Sequence, residues 1–374
     1  MGKRELLLIV GFVVLGMIVY QVSAPAREPG KSTWSVGKIV DEIRREIRGN
    51  PGRADVTSKN THAVPDGITE LRVTPRGSPL TIIGENRTDI ESELFVRSNG
   101  TDDAEAKQLA EATKVMVEAA GPSLSLLIDF PEPGSQNARL HLRVPQNMVV
   151  QLEPSVGKVE ISGIAGVELE NARGETIVKN IKGRANVIHR GGDLVIEDVQ
   201  SLRLNTRGSE ARITGVRSEC VLQLLAGSVK ATDITGPIEV EANATDLTIE
   251  NMHVTKTPLK INALEGTLVL RGLSTDARID GRETEIDIAM AAPAAVAIFS
   301  IGEAVRITPP EKGYTLDVSA TDSSISLPPA LQPLITLSKD ETRKEERGKG
   351  EVNGGGPTIT VRSTRGEIRI NPRP

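Results

Sequence analysis

Aromatic side chains are nearly missing from this chain: they make up 2% of its 374 residues, with one tryptophan, Trp34, two tyrosines and four phenylalanines. Polysaccharide-binding grooves usually supply aromatic platforms, so this scarcity weighs against a lyase or glycosidase. Cysteine is nearly absent too. Cys220 stands alone, which excludes an intrachain disulfide, and its place at an inward strand position reads as a buried structural thiol. The four histidines, His62, His141, His189 and His253, have no metal-ligand spacing and read as scattered surface side chains. The GGGP at 354–357 lacks the Lys-Ser/Thr and the following helix of a phosphate loop, and no nucleophile elbow occurs. A net charge of -5 gives nucleic acid no electrostatic reason to bind. Glu239 and Glu241 share one candidate strand, but beside Lys260 their outward alternation reads as solvation and not as a general acid/base pair. The expected catalytic, cofactor-binding and metal-ligating sets are therefore all empty.

What the sequence has in quantity is repetition. From Lys158 to Glu283 two phrase types alternate through seven pairs, most of them 17 or 18 residues long and one of 21, where His253 to Thr257 bulges out. The first type runs KVEISGIAG, ETIVKNIKG, DLVIEDVQS, EARITGVRS, SVKATDITG, DLTIENMHV and TLVLRGLS. Its second, fourth and seventh positions are apolar or nearly so, as in Val159, Ile161 and Ile164 or Leu247, Ile249 and Met252. Alternation at the start of each phrase marks a strand with one face inward, and the third apolar residue follows a turn. Gly166, Gly183, Gly227 and Gly266 fall at phrase ends, where corners form. A fixed period on this scale is the signature of a solenoid, whose coils cannot fold alone and must stack. Outward positions carry Lys158, Glu160, Lys179, Glu197, Arg212, Lys230, Glu250 and Arg271, both signs on neighbouring coils, as on a solvated face.

Ahead of the repeat, Lys3 and Arg4 precede a stretch without charge between Leu6 and Tyr20. With its flanks, residues 1–22 read as a single transmembrane anchor; Ala24-Pro25-Ala26 has the A-x-A form, so a cleaved signal peptide is the alternative. Either reading carries the rest across the membrane. Residues 23–63 read as a stalk in which Val36, Ile39, Val40, Ile43 and Ile47 lie at helical spacing, followed by a polar linker over 51–61. Residues 64–150 read as a strand-rich N-terminal cap with one helix over 101–113, where Asp102 and Glu105 fit a capping pattern and Leu109 and Ala112 face one way. The solenoid then occupies 151–330, a flexible charged Gly-rich loop 331–356, and a closing strand 357–374 that returns to the end of the stack. The fold class expected is all-β: a parallel β-solenoid (β-helix) of 17 to 18-residue coils, behind a transmembrane helix and a small capping region.

The run LHLRVPQNMVVQLEPSVGKVEISGIAGVELENARG resembles the bacterial putative-adhesin family, a domain of unknown function also described as β-strand-repeat-containing. Its members enter through a "hydrophobic-x-hydrophobic-P" strand, here His141 to Pro145, and close on a strand that Gly354 to Ile370 matches, after a Tyr-containing strand like that from Tyr314 to Ser319. The "S-N-G" corners usual in the family are replaced here by ARG, RGG and LAG. The resemblance covers roughly 64–371 and implies no catalytic position. Together with the N-terminal segment it sets the expectation: a non-enzymatic, single-pass protein of the bacterial inner membrane, held through Leu6 to Tyr20. The bulk of its chain is then periplasmic or extracellular and acts as an adhesin-like scaffold toward an envelope protein or polysaccharide. A carbohydrate-active β-helix enzyme and a bactofilin-like polymerising scaffold are the alternatives.

Overall fold

The structure, a computed structural model, describes residues 52–131, 136–253 and 257–372. The expected transmembrane segment, the amphipathic stretch behind it and the middle of the bulge after His253 lie outside the described residues. Among the described residues no helix is long and apolar enough to cross a membrane.

The chain from Gly52 onward forms one unit. It opens with β1 (Gly52–Ala63), β2 (Glu70–Thr74), β3 (Leu80–Glu85) and β4 (Asp89–Gly100), then the helix α1 (Asp103–Ala112), then β5 (Lys114–Ala120), β6 (Ser123–Asp129) and β7 (Gln136–Pro145). The repeat follows as β8 (Val149–Ser155), β9 (Val159–Ser162), β10 (Gly166–Asn171) and β11 (Thr176–His189). Five further elements continue it: β12 (Gly192–Val216), β13 (Cys220–Thr235), β14 (Ile238–His253), β15 (Leu259–Leu273) and β16 (Ala277–Met290). Each of these long elements bends round a corner, so one coil contributes a run to each of two facing parallel sheets. Sheet A holds 202–207, 220–225, 238–243, 259–264 and 277–282, paired parallel in register. Sheet B holds 211–216, 229–234, 247–252, 268–273 and 286–290.

The inward residues named from the repeat are all buried: Val159, Ile161 and Ile164 are at most 1% exposed, and so are Leu268, Leu270 and Leu273. Each is worth about 1.5–3 kcal/mol once removed from water. Cys220 lies among them, fully buried. In sheet B the residue before the third apolar one is always Gly, Asn or Asp, and at all seven the backbone is left-handed: Gly163, Asn180, Asp198, Gly215, Asp233, Asn251 and Gly272, with φ between 52° and 75° in all but Gly272 at 77°. These are the residue types that tolerate that region, and the extra residue they insert turns the next side chain inward as well. Thr214 pairs with Thr232 and Val216 with Ile234, so the left-handed residue between them stands outside the ladder.

The ends do not follow sequence order. β2 pairs parallel with both β6 and β8, and β3 with both β7 and β9. The coil made by β2 and β3 is therefore inserted between the later coils β6–β7 and β8–β9. The other end repeats this arrangement. After β17 (Val296–Ile301), β18 (Val305–Thr308), β19 (Tyr314–Thr321) and β20 (Ile325–Ser326), the chain makes β21 (Ile335–Asp340) and β22 (Glu345–Val352) and finishes with β23 (Thr358–Thr364) and β24 (Ile368–Ile370). β23 lies between β17 and β19, and β24 between β18 and β20. Antiparallel strands then cover the outermost coils, β4 on β7 with β1 on β4, β5 on β6, and β22 on β19 with β21 on β22.

Four expectations are corrected here. The polar linker over 51–61 is strand β1, paired with β4 over its whole length; beyond buried Gly52 it is half-buried at most, so few apolar residues were needed to form it. The flexible loop over 331–356 holds the hairpin β21–β22. Gly348 and Gly350 occupy its inward positions because Ile335 from the neighbouring strand fills that space, with Leu337 and Val318 also close to Gly348, and buried Glu346 accepts the Ile325 N–H at 3.0 Å. The closing strand does not end the stack but is its penultimate coil. In α1 the cap is as expected, Asp102 accepting from the Glu105 N–H at 2.8 Å, but the buried face is Ala106 and Ala110 and not Leu109 with Ala112.

Candidate functional site

The outward residues of the two sheets are built from the same alternation and end in different states. On sheet B they pair along the stack: Lys179 with Glu197 at 2.9 Å, Lys230 with Glu250 at 2.9 Å, and Arg271 with Asp287 at 2.7 Å, with Arg306 and Glu285 joined as well. The hydroxyls of Thr214 and Thr232 meet at 3.2 Å. This face is solvated, and most of its charges are paired along the stack, Arg212 being an exception opposite Lys230.

Sheet A carries an open groove of about 790 Å³ across seven consecutive strand runs, from Asn205 to Arg362. Two outward columns line it. The first runs Asn205, Gln223, Glu241, Asn262, Asp280 and Phe299, each opposite the next in register. The second runs Leu225, Asn243, Leu264, Arg282 and Ile301. Leu225, Leu264, Phe299 and Ile301 are 38–40% exposed, four of the nine large apolar side chains left open on the described surface.

The inward column between these two explains the concavity. Along the stack it reads Asn171, His189, Thr206, Leu224, Ala242, Ala263, Gly281 and Ser300. The column shrinks to Ala, Ala, Gly and Ser under the middle and far end of the groove, and a Cβ on Gly281 would come within 2.8 Å of the Ile286 Cδ1 of sheet B. Small interior residues leave room for the two sheets to approach there, since interiors are close-packed.

About half of the lining polar groups are already engaged, Ser300 among them through the Glu303 carbonyl at 3.3 Å. Asn205 donates to the Gln223 Oε1 at 3.2 Å, Arg278 to the Asp280 carboxylate at 3.0 Å, and Arg362 pairs with Asp317 at 2.9 Å. The Arg278 guanidinium also stands 5.3 Å from the Phe299 ring centre. Glu241, Asn243, Asn262 and Arg282 have no side-chain partner among the described residues. Glu239 and Glu241, whose outward alternation beside Lys260 reads as solvation, differ in place: Glu239 lies opposite Lys260 in register, while Glu241 is in the groove.

Of the four histidines, His189 departs from the expectation of a surface position. It is fully buried, its Nε2 donating to the Gly174 carbonyl at 3.0 Å, which leaves Nδ1 to accept from the Ser209 hydroxyl at 2.9 Å. Burial holds its pKa below the ordinary histidine value, against the Gly174 carbonyl and Asp193 that favour the cation. His62 touches Ser92 at 3.1 Å on the far cap, and burial lowers its pKa as well. The histidines do not converge, and among the described residues no cluster of three His, Cys, Asp or Glu could hold a metal. Burial pushes the Cys220 thiol up to about 12, with Glu219 adding to it, so the thiolate that reacts or ligates is not formed at neutral pH.

With the two-sheet stack and its grooved face described, comparison with known proteins becomes informative. The Toastrack DUF4097 family profile matches residues 68–371. The chain belongs to the Toastrack DUF4097 family. The match begins beside β2 and ends just after β24, so it takes in both inserted coils of this Toastrack chain as well as the sequential middle. Among proteins of curated function, no sequence match was found. Solved structures similar to it include a putative adhesin from Parabacteroides distasonis, 12% identical, covering 86% of this chain and 98% of that one with a TM-score of 0.33. A putative adhesin from Bacteroides fragilis is 9% identical over 86% and 99%, TM-score 0.30, and a putative cell adhesion protein from Clostridium sporogenes 8% identical over 85% and 100%, TM-score 0.20. Similarity at this level carries no functional assignment.

Proposed function

We propose that this Toastrack protein is a non-enzymatic recognition or scaffold protein of the bacterial envelope, tethered in the inner membrane through Leu6 to Tyr20, with its solenoid on the periplasmic or extracellular side. The grooved face of sheet A is its binding surface. The observation that carries this reading is the contrast on one stack: sheet B pairs most of its outward charges along the coils and carries no groove, while sheet A leaves Asn243, Asn262, Leu264 and Phe299 open in one. The antiparallel strands over both ends support a discrete molecule over a bactofilin-like polymer, since they cover the edges through which coils would add.

Glu241 and Asp280 are the carboxylates that this groove offers to a carbohydrate-active enzyme. They lie two strands apart, about 10 Å at the usual strand spacing, and Arg278 holds Asp280. Recognition needs no more than this, whereas acid/base catalysis needs a poised pair. The test combines topology and binding. Protease should digest the solenoid on intact cells if it is extracellular, or once the outer membrane is opened if it is periplasmic; protection until the inner membrane is lysed would end the envelope assignment. Full-length protein held in detergent micelles should co-sediment saturably with detergent-extracted envelope, from which the lipid bilayer has been removed, and Phe299→Ala should abolish that.

A further inference from the structure

We propose that the groove of sheet A binds an uncharged linear polysaccharide lying along the stack, an inference that rests on the groove being the recognition surface. Three properties of the lining, taken together, select this class of ligand.

The first is charge. Glu241 and Asp280 are balanced by Arg282 and Arg362, and two of the four are already occupied by Arg278 and Asp317. A groove with no net charge gives a phosphate, sulfate or uronate polymer nothing to neutralise, unlike the basic track that such polymers need. The second is the kind of polar group. Asn205, Gln223, Asn243 and Asn262 each offer both a donor and an acceptor without a charge, which is what hydroxyl and acetamido groups require. Beside them Leu225, Leu264, Ile301 and Phe299 give an apolar surface to the faces of sugar rings, and Phe299 is the groove's aromatic contact in a chain with four phenylalanines.

The third property is repetition. Polar and apolar outward residues recur from strand to strand at about 4.8 Å along the stack, and the seven runs from Asn205 to Arg362 extend this over about 29 Å. A ligand that uses such a surface repeats its own chemistry on a similar scale. An extended peptide fits less well. Peptides that join sheets bond to an unpaired edge, and every run in the groove floor from Cys220 to Ile301 is paired on both sides.

The experiment uses the full-length protein in detergent micelles and titrates it by calorimetry with β-1,4-linked hexasaccharides of glucose, N-acetylglucosamine and mannose. Saturable binding of at least one is expected. It should weaken about tenfold or more in Phe299→Ala and in the Asn243→Ala/Asn262→Ala double variant. It should be unchanged in Lys230→Ala on sheet B, and sulfated dextran should not compete. These substitutions are at exposed positions, and circular dichroism confirms that each variant is folded. Binding that ignores the groove substitutions, competition by sulfated dextran, or no binding of any hexasaccharide overturns the proposal. In any of those cases the envelope co-sedimentation separates the two readings. If Phe299→Ala still abolishes it, the groove recognises another class of molecule; if Phe299→Ala leaves it intact, the groove is not the recognition surface and both readings fall.

Discussion

Sheet A and sheet B of one coil share a backbone ladder, a core and a period, yet one face is closed to partners and the other is open. The difference arises inside. Sheet B is backed mostly by Val, Ile, Leu and Met, its small inward residues Ala211 and Ala231 standing singly between larger ones on neighbouring coils, and it carries a left-handed Gly, Asn or Asp at a fixed place, so its outer face is regular and several of its ions meet across coils. Sheet A is backed by a column that shrinks toward Gly281, so its outer face bends away from solvent and its outward side chains converge. A repeat can thus hold its register and still build a site, provided one inward column is free to change size.

The sharpest way to break this comparison is to remove what both faces share. Val361, in the inserted strand β23, is fully buried between neighbours on either side. Val361→Asp should cost more than about 4 kcal/mol and leave little folded protein in a urea titration. Refilling the shrunken column acts on sheet A alone: Gly281→Leu should destabilise by about 1–3 kcal/mol through the clash with Ile286. It should also flatten the groove and weaken any ligand as Phe299→Ala does. On sheet B, Asn251→Val places a β-branched residue at φ 54° and should cost about 1–2 kcal/mol in thermal unfolding without touching groove binding.

Two smaller effects sharpen the same contrast. Burial depresses the His189 pKa, so the unfolded chain takes up the proton first; stability is full above pH 6.5, the ordinary histidine value, and falls as pH drops below it. His189→Gln should flatten that slope in a series of melting curves, leaving the part due to His62, whose shift has the same sign. Last, Lys230→Ala removes one exposed ion pair from sheet B and should change stability by less than about 1 kcal/mol.

Much of the fold was legible because stacking writes itself into the sequence at short range. The period gave the parallel coils, and Val159, Ile213 and Leu270 faced inward as their alternation required. The left-handed position was legible too, in the Asn, Asp or Gly of KNI, EDV and ENM, although a turn was all the phrase first suggested. What remained hidden depends on partners distant in sequence. β1 is recognisable only beside β4, and Gly348 and Gly350 serve as strand residues only because Ile335 lies over them. The insertion of β2–β3 and β23–β24 between other coils leaves no local mark. The groove was missed for a related reason: Glu241 and Asn262 alternate outward like any solvated residue, and only the size of Ala242, Ala263 and Gly281 between them signals that the face is concave. That sequence of shrinking inward residues was readable, had the inward column of the second phrase been followed from coil to coil.

The inserted coils have a mechanical consequence. In a simple solenoid the last coil is an edge, and a pull on it opens one hydrogen bond after another like a zip. Here a pull on the segment following Asn371 is borne first by β24 and β23, each gripped by strands on both flanks, while a pull from the N-terminal side first meets β1, held by β4 alone, and only then β2 and β3, gripped on both flanks. Strands gripped on both flanks must slide in shear, breaking two ladders together. Tension therefore stops at the inserted coils: at once from the C-terminal side, and after the loss of β1 from the other.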